Sequence, residues 1–218
     1  MNTQFLGLWL LVFGLLPGLY AQTLVTQGHS IHSTHLQELR HYQVLLPQSY
    51  ESDAFYLEKD YPVLIVLDGD RLVPLVGQMV QTMSGGSVEQ IPEMIVVGIS
   101  NTDRNRDFRP PYSEDDIGLN GPQRFLSFLQ EELLPQLAVD FRTTGCPYIL
   151  GHSFAGLFVT DAWVEQAGFC GYLAIDPSFL PVNYINFFFN YRSCWSCRSR
   201  TFRSFCIKDF PITNIMTA

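Results

Sequence analysis

The stretch Pro147–Gly156, with the sequence PYILGHSFAG, constrains the fold of this chain most strongly. A short apolar run ends at Gly151-His152-Ser153 and continues into small and apolar residues, which predicts a strand, a tight turn and a helix start. A serine at such a turn has its hydroxyl held clear of the backbone, and glycines on both sides keep the bend free of Cβ clashes. The pattern predicts a nucleophile elbow, with Ala155 where glycine is usual. The alternative is a serine that caps an ordinary helix.

Buried strands and helices alternate on both sides of this turn. Tyr61–Asp70 and Met94–Ser100 are continuous apolar runs, typical of strands buried on both faces of a parallel sheet, and Gly171–Asp176 predicts another strand. Helices are predicted at about 72–83, at Pro122–Val139 with one apolar face, and from the turn to about residue 166. The alternation predicts one α/β domain with a mostly parallel central sheet and helices on both faces.

The segment Ser30–Tyr50 alternates polar and apolar residues, which predicts two antiparallel strands at the edge of the sheet. The spacing of its histidines is compatible with metal ligands, but strand alternation places His32 and His35 on opposite faces. A solvated edge is therefore the favoured interpretation, and no metal site is expected. The histidines concerned are His29, His32, His35 and His41.

Residues 1–21 form an apolar segment with a helix break at Pro17-Gly18 and the small residue Ala21 at its end. This pattern is typical of a secretory signal peptide and predicts a mature chain beginning near Gln22. The expected protein is secreted or periplasmic, with no stable membrane association after cleavage. An uncleaved membrane anchor is the rival interpretation, because the segment contains no Lys or Arg.

The charge distribution excludes one class of partner and marks a change near Pro181. A formal net charge of −8 leaves no basic stripe for phosphate contacts, so no nucleic-acid partner is expected.

Residues 182–218 contain five of the thirteen basic residues but one of the twenty-one acidic residues, without helical or strand periodicity. We expect a domain at 22–181 and a poorly ordered tail at 182–218. Cys194 and Cys197 have redox-motif spacing, but no predicted strand precedes them.

Five segments in order resemble the "Putative esterase" family of α/β-hydrolases, which includes siderophore trilactone esterases and S-formylglutathione hydrolases: YPVLIVLDGD, VVGISNTDRNRDFRP, RFLSFLQEELLPQL, FRTTGCPYILGHSFAG and YLAIDPS. The resemblance covers about Leu36 to Pro181. It implies an α/β-hydrolase-like fold whose C-terminal part is incomplete, a small-molecule ester substrate and no cofactor. It also implies that Ser153 is the nucleophile and that the oxyanion hole combines the N–H of Phe154 with a backbone N–H at Gly69-Asp70.

The catalytic base is missing from its usual place in the sequence. A serine hydroxyl is a poor nucleophile near pH 7 without a base, and in α/β-hydrolases an acid and a histidine follow the serine along the chain. No histidine follows Ser153, and His152 is expected to point away from it. Asp176, at the end of the next predicted strand, is the candidate acid. Its alternative role is a turn-forming aspartate before Pro177.

The polar loop Asn101–Asn120 contains three arginines, Arg104, Arg106 and Arg109, which are candidates for binding an anionic substrate. Solvated or Asp-paired arginines are the alternative.

The sequence supports two candidate functions. One is a serine esterase, represented here by a shortened or altered-tail form whose activity is impaired because no histidine follows Ser153. The other is a non-catalytic α/β-hydrolase-like binding protein or a truncated gene product.

Cys146 and Cys170 open the elbow strand and the next strand at similar distances from their ends. Neighbouring strands lie about 4.8 Å apart, within the Cα separation that a disulfide accepts. An exported protein meets an oxidising environment, so we predict a bond between these two cysteines.

Overall fold

The computed structural model describes residues 26–51, 59–85, 89–109 and 120–179 of the 218-residue chain. The described strands are β1 (Gln27–Ser33), β2 (Glu38–Leu45), β3 (Val63–Val66), β4 (Ile95–Ile99), β5 (Tyr148–His152) and β6 (Gly171–Ile175). The described helices are α1 (Gly69–Ser84), α2 (Arg104–Phe108), α3 (Gly121–Ser127), a π-helical segment (Phe128–Leu133), α4 (Leu134–Asp140) and α5 (Phe154–Val164), and a 3-10 turn spans Gln48–Tyr50.

The chain divides into two units, Met1–Ser178 and Phe179–Ala218. The predicted signal peptide at 1–21 and the predicted tail at 182–218 lie outside the described residues. The domain boundaries drawn from the sequence therefore stay predictions.

The six described strands form one sheet in the order β1-β2-β4-β3-β5-β6. β2 runs antiparallel to both β1 and β4, whereas β3, β4, β5 and β6 are parallel to one another. The antiparallel pair predicted for Ser30–Tyr50 is confirmed, with β1 at the edge, although β2 is not an edge strand because its other side pairs with β4. The carboxyl ends of the four parallel strands lie along one side of the sheet, where α/β proteins bind their ligands.

The two central strands explain the apolar runs of the sequence. Every residue of Val63–Val66 and of Ile95–Ile99 is buried. β3 is shorter than the run Tyr61–Asp70 suggested, because Leu67 and Asp68 turn the chain into α1. Helix α1 accordingly begins at Gly69, before the predicted start near Leu72.

Helices cover both faces of the sheet, as predicted. On one face, Val73, Val76 and Val80 of α1 belong to the same buried cluster as Leu64 and Val96 of the sheet. On the other face, the helical stretch from α3 to α4 and helix α5 pack against the alternate strand residues. This arrangement confirms the α/β class.

The crossover helix predicted at Pro122–Val139 is continuous from Gly121 to Asp140 but includes the π-helical segment. The predicted apolar stripe is buried, with at most 1% exposure at Phe125, Leu129, Leu133 and Leu137. The sequence analysis did not predict the π-helical segment Phe128–Leu133.

The histidine-containing hairpin differs in one detail from the prediction. His35 lies in the turn between β1 and β2, so strand alternation does not govern its direction; its Nε2 lies 3.0 Å from Glu131 Oε2. Among the described residues, His, Cys, Asp and Glu side chains form no group of three or more suited to a metal ion. Nor does any helix in these ranges have the length and apolar character needed to cross a membrane.

Cys146 and Cys170 form a disulfide, with their Cα atoms 5.5 Å apart. They lie just before β5 and β6, which pair in register with Tyr148 opposite Gly171. The predicted bond between these cysteines is confirmed.

Candidate active site

Ser153 occupies the turn between the end of β5 and the start of α5. Its backbone has φ 60° and ψ −119°, a conformation that few non-glycine residues adopt. Backbone hydrogen bonds that hold the turn include those from Ser153 N–H to the Ile175 carbonyl at 3.0 Å and from Leu157 N–H to the Ser153 carbonyl at 2.9 Å. The strand, turn and helix expected from the motif are therefore present.

Glycines on both sides of Ser153 permit close backbone contacts. A Cβ on Gly151 would overlap the carbonyl of Ala155, and one on Gly156 would lie 2.9 Å from the carbonyl oxygen of Ile175. Ala155 is fully buried, so a residue larger than alanine would need space that the turn does not offer. The spelling G-x-S-x-A-G is thus compatible with the turn.

A second hydroxyl lies beside the candidate nucleophile. Ser178 Oγ is 2.9 Å from Ser153 Oγ, and the Ser178 N–H donates to the Ser153 carbonyl at 3.2 Å. Sequence reasoning missed Ser178. The available signal was its position just after the strand Gly171–Ile175, at the side of the sheet where Ser153 was expected.

A second strained turn lies at the end of β3. Asp68 has φ 54° and precedes Gly69, the first residue of α1. A Cβ on Gly69 would overlap the backbone of Gly98, so only glycine lets this turn approach β4. The side chain of Asp70 accepts a hydrogen bond from Ser100 Oγ at 2.6 Å.

Helices α1 and α5 both begin at this side of the sheet. The first backbone N–H groups of a helix have no partner within the helix, and its N-terminus attracts negative charge. Gly69 and Asp70 open α1, and Phe154 opens α5. Strands β3 and β5 are direct neighbours, and Leu67 N–H donates to the Leu150 carbonyl at 2.9 Å. The residues expected to form the oxyanion hole therefore follow adjacent strand ends.

The carboxylate of Asp68 is 3% exposed and is bound by Arg104. Arg104 Nε and Nη2 donate to its two oxygens at 2.7 and 2.9 Å, and Asn101 Nδ2 donates at 2.6 Å. Burial opposes ionisation, but the hydrogen bonds from Arg104 and Asn101 outweigh it and lower the pKa of Asp68.

The other two loop arginines are also held by the protein. Arg106 donates to Glu38 at 2.7 and 3.0 Å and to Asp107 at 2.8 Å. Arg109 is partly buried at the end of α2, where its N–H caps the helix on the Asn105 carbonyl. The structure thus shows the ion-paired alternative for Arg104 and Arg106. A substrate-binding role for the three arginines stays a prediction.

Asp176 follows β6 and is exposed, with φ 43° before Pro177. This backbone suits the turn-forming role that was its alternative, and the acid role stays a prediction. His152 is partly buried, and its buried Nδ1 has no hydrogen-bond partner among the described residues. A carboxylate–histidine pair beside Ser153 is therefore not formed by these two residues.

An open cavity of about 440 Å³ adjoins the start of α1. Asp70 and Ser100 form one side of it, and β1 and β2 form the other with His29, His41 and Gln43. His41 lies close to Ser100, because the Ser100 N–H donates to its carbonyl at 3.0 Å. Two of the upstream histidines thus line a cavity near a candidate oxyanion donor.

The chain is similar to characterised and structurally solved esterases. It is 27% identical over 139 residues to the apo-salmochelin esterase of Escherichia coli O6:H1, an alignment that covers 54% of this chain and 42% of that protein. An IroE-like serine hydrolase from Shewanella oneidensis is 33% identical with a TM-score of 0.64, over 71% of this chain and 51% of the other.

The fold is also similar to that of an esterase with lower sequence identity. The enterobactin esterase FES from Shigella flexneri superposes with a TM-score of 0.57 and 19% identity, over 74% of this chain and 39% of that one. The chain thus spans about half the length of the relatives that it matches, or less. The model of the family described as "Putative esterase" matches residues 33–162, more than half of the sequence. The protein therefore belongs to the "Putative esterase" family, and its fold is that of the α/β-hydrolases.

Proposed function

We propose that this protein is a serine esterase that uses Ser153 as its nucleophile and a small-molecule ester as its substrate. The observation that carries the proposal is the backbone of Ser153, at φ 60° and ψ −119° between β5 and α5. Such a conformation costs of order 1–3 kcal/mol and persists only where surrounding contacts impose it. Here the backbone hydrogen bonds of Ser153 to Ile175 and Leu157 hold the turn, Gly151 and Gly156 leave room for its close backbone contacts, and the turn presents the hydroxyl at the carboxyl end of the sheet.

The oxyanion hole of the proposed enzyme combines the N–H of Phe154 with a backbone N–H of Gly69 or Asp70. Support comes from the positions of these residues at the first turns of α5 and α1, after the neighbouring strands β5 and β3. Donors fixed in this way stabilise the negative charge of a tetrahedral intermediate, and one such donor is typically worth about 10²–10³ in turnover.

The proposed active site has no residue assigned as the catalytic base. No histidine follows Ser153 in the sequence, and Asp176 is proposed as the acid from its position after β6 alone. In a serine protease, loss of the base lowers turnover about 10⁶-fold, and the residual rate of about 10³–10⁴ over water comes from the oxyanion hole and from binding. We therefore expect little esterase turnover from the 218-residue chain.

The test is a short-chain p-nitrophenyl ester assay with covalent labelling of Ser153 by a fluorophosphonate. The chain and its Ser153→Ala variant should turn over the ester at similar, low rates, while slow labelling should depend on Ser153. A chimera whose residues 182–218 are replaced by a family segment with an acid and a histidine should gain turnover that Ser153→Ala abolishes. Absence of both labelling and gained turnover would contradict the proposal.

Robust turnover by the unmodified chain would assign the base to an upstream histidine. His41 and His29 would be replaced by alanine first, because both line the cavity beside Asp70. His152, His32 and His35 would follow.

A non-catalytic binding protein with the same fold is the second candidate function. One observation favours it: in the described part of the chain the side-chain partner of Ser153 Oγ is another serine, Ser178, rather than a histidine. Unchanged ester binding in Ser153→Ala, without labelling of the parent chain, would support this function over the esterase.

The names of the relatives suggest a substrate class and the N-terminus suggests a location. Esters of the kind hydrolysed by an apo-salmochelin esterase or an enterobactin esterase are the first substrates to test.

Export to the periplasm or the exterior is proposed from the apolar residues 1–21. Intact mass of the exported protein should show a start near Gln22; retention of the segment in a membrane fraction would indicate an anchor.

A further inference from the structure

Arg104 contacts both strained turns of the candidate active site. Its guanidinium binds both carboxylate oxygens of Asp68, at 2.7 and 2.9 Å, at the end of β3. The same Nη2 also donates to the carbonyl of His152 at 3.3 Å, immediately before Ser153. The guanidinium carbon lies 5.4 Å from the ring centroid of Phe154, the residue after Ser153. One side chain thus bridges two segments that are neither adjacent in sequence nor part of the same helix.

Both ends of this bridge are backbone positions that need external support. Asp68 has φ 54° and Ser153 has φ 60°, values in the left-handed half of conformational space that disfavour side chains with a Cβ. Asp68 sets the direction in which α1 begins, and the peptide of His152 and Ser153 sets the direction in which α5 begins. A rotation at either turn would redirect the first N–H groups of the helix that follows.

The helix that carries Arg104 is itself anchored in the core. Asp107, three residues further along α2, is fully buried and lies 2.7 Å from the fully buried guanidinium of Arg40 on β2. Arg40 also donates to the carbonyl of Ser100 at 3.1 Å, and its guanidinium lies 5.2 Å from the Phe125 ring centroid. Because α2 is held at Asp107, the backbone of Arg104 has little freedom to follow a moving turn.

We infer that Arg104 is a positioning residue that fixes the separation of the two halves of the oxyanion hole, the turn at Asp68-Gly69-Asp70 and the turn at Ser153-Phe154. The inference rests on the function proposed above. Arg104 does not touch the reacting atoms; it acts through the direction of the N–H groups. This role differs from gripping an anionic substrate, because Nε and Nη2 of the guanidinium bind Asp68 and the His152 carbonyl.

Lysine at position 104 separates positioning from simple charge pairing. A lysine ammonium would keep a positive charge beside the buried carboxylate of Asp68, but it lacks the planar fork that binds two oxygens and reaches a third acceptor. If Arg104 only neutralised Asp68, Arg104→Lys would behave like the parent chain. If Arg104 positions the turns, the Arg104→Lys protein would keep most of the stability of the parent chain, but the turns at Asp68 and Ser153 would no longer be held at a fixed separation.

The matched control is Arg71→Ala. Arg71 approaches the same carboxylate, 3.9 Å from Asp68 Oδ2, but its side chain is 65% exposed and comes from α1. Four proteins, the full-length parent chain and its Arg104→Ala, Arg104→Lys and Arg71→Ala variants, would be compared in two measurements. The first is the rate of Ser153 labelling by a fluorophosphonate, divided by the folded fraction from thermal unfolding. The second is amide hydrogen exchange of peptides covering 67–71 and 152–155.

The expected result is a reduction of about ten- to a hundredfold in the labelling rate of folded Arg104→Ala and Arg104→Lys, since misdirecting an oxyanion donor loses part of its effect. Exchange should rise at both turns together in these two variants. Arg71→Ala should match the parent chain in both measurements. An unchanged labelling rate in Arg104→Ala, full recovery in Arg104→Lys, or an equal loss in Arg71→Ala would overturn the inference.

Failure of the proposed function gives a different pattern. If Ser153 of the parent chain takes no label, the esterase proposal fails, and hydrogen exchange then decides the role of Arg104 alone. Faster exchange at both turns in Arg104→Ala and Arg104→Lys, with protection retained in Arg71→Ala, would support the bridge. Faster exchange at residues 67–71 only would show that Arg104 serves Asp68 and does not couple the two turns.

Discussion

Ser178 Oγ lies 2.9 Å from Ser153 Oγ, which joins the turn after β6 to the turn after β5. A backbone hydrogen bond from Ser178 N–H to the Ser153 carbonyl runs beside this contact at 3.2 Å. The backbone bond remains if the Ser178 hydroxyl is removed. Mutation of Ser178 to alanine can therefore separate the effect of the hydroxyl contact from that of the backbone bond. A hydroxyl in this place can limit the rotamers of Ser153 but is not a base of the strength that a serine nucleophile needs.

We predict that Ser178→Ala changes the fluorophosphonate labelling rate of Ser153 by about three- to tenfold, the equivalent of one neutral hydrogen bond of about 0.5–1.5 kcal/mol. The thermal midpoint should move little, because the backbone bond and the turn stay in place. Rates would be measured under conditions where both proteins are fully folded. A loss above a hundredfold would contradict a rotamer-limiting role and would place Ser178 in the path of the serine proton.

The close backbone contacts around the elbow give a prediction about stability. Gly151→Ala should destabilise the fold by about 3 kcal/mol and Gly156→Ala by about 1–2 kcal/mol, because the new Cβ meets backbone atoms that cannot move independently and the overlap is closer at Gly151. Gly145→Ala is the matched control, since no atom lies within 4 Å of the Cβ that it would add. Urea unfolding of the three variants is the measurement. A Gly151→Ala protein as stable as Gly145→Ala would mean that the elbow is looser than described.

Most of the fold was predictable because burial leaves a strong local pattern. The runs at Tyr61–Asp70 and Met94–Ser100 are apolar at successive positions, since strands in the middle of a parallel sheet are covered on both faces. The four-residue spacing from Phe125 to Leu137 likewise follows from one buried helix face. Boundaries were less accurate, as at Gly69, because a strand and a following helix share apolar residues at their junction.

The candidate site was predictable only where its residues are neighbours in sequence. Ser153 and Phe154 follow from one motif, whereas Ser178 lies 25 residues from Ser153. The bonds of Arg104 to Asp68 and to the His152 carbonyl span 36 and 48 residues. No local pattern distinguishes an arginine that bridges two turns from one that binds a substrate. Such roles depend on which strand ends become neighbours, and the sheet order determines that.

Acid should weaken the link between β2 and α2. Hydrogen bonds from Arg106, with a smaller contribution from Arg40, outweigh the effect of burial and lower the pKa of Glu38 from 4.5 to about 2. A carboxyl whose pKa is lower in the folded state than in the unfolded state stabilises the protein above the unfolded value. That stabilisation, of order 2–3 kcal/mol, is lost as the pH falls from about 4.5 to about 2.

Glu38→Gln should therefore be less stable than the parent chain at pH 6, and the two should converge as the pH approaches 2. Thermal midpoints across this range are the measurement. Glu165→Gln, at an exposed position just after α5, is the control and should follow the parent curve throughout. A constant difference between Glu38→Gln and the parent chain at every pH would show that packing rather than charge accounts for the effect.

The disulfide between Cys146 and Cys170 closes a loop that contains the whole elbow, from β5 through α5 to the start of β6. Cross-linking residues 24 positions apart restricts the unfolded chain and should contribute about 3 kcal/mol in the loop-entropy model. Cys146 is exposed and Cys170 is partly buried, so a reductant can reach the bond. We predict that dithiothreitol lowers the urea midpoint of the parent chain by an amount equivalent to this energy.

The double variant Cys146→Ser, Cys170→Ser is the control for other cysteines, because Cys194, Cys197 and Cys206 remain in it. Without reductant it should unfold at the midpoint of the reduced parent chain, and dithiothreitol should not shift it further. Ser153 labelling should slow in proportion to the loss of folded protein and no more, since neither cysteine contacts the elbow hydroxyl in the described structure. Equal midpoints for the oxidised parent chain and the double variant would show that the bond does not stabilise the fold. A further shift of the double variant by dithiothreitol would assign the redox response to the cysteines beyond residue 181.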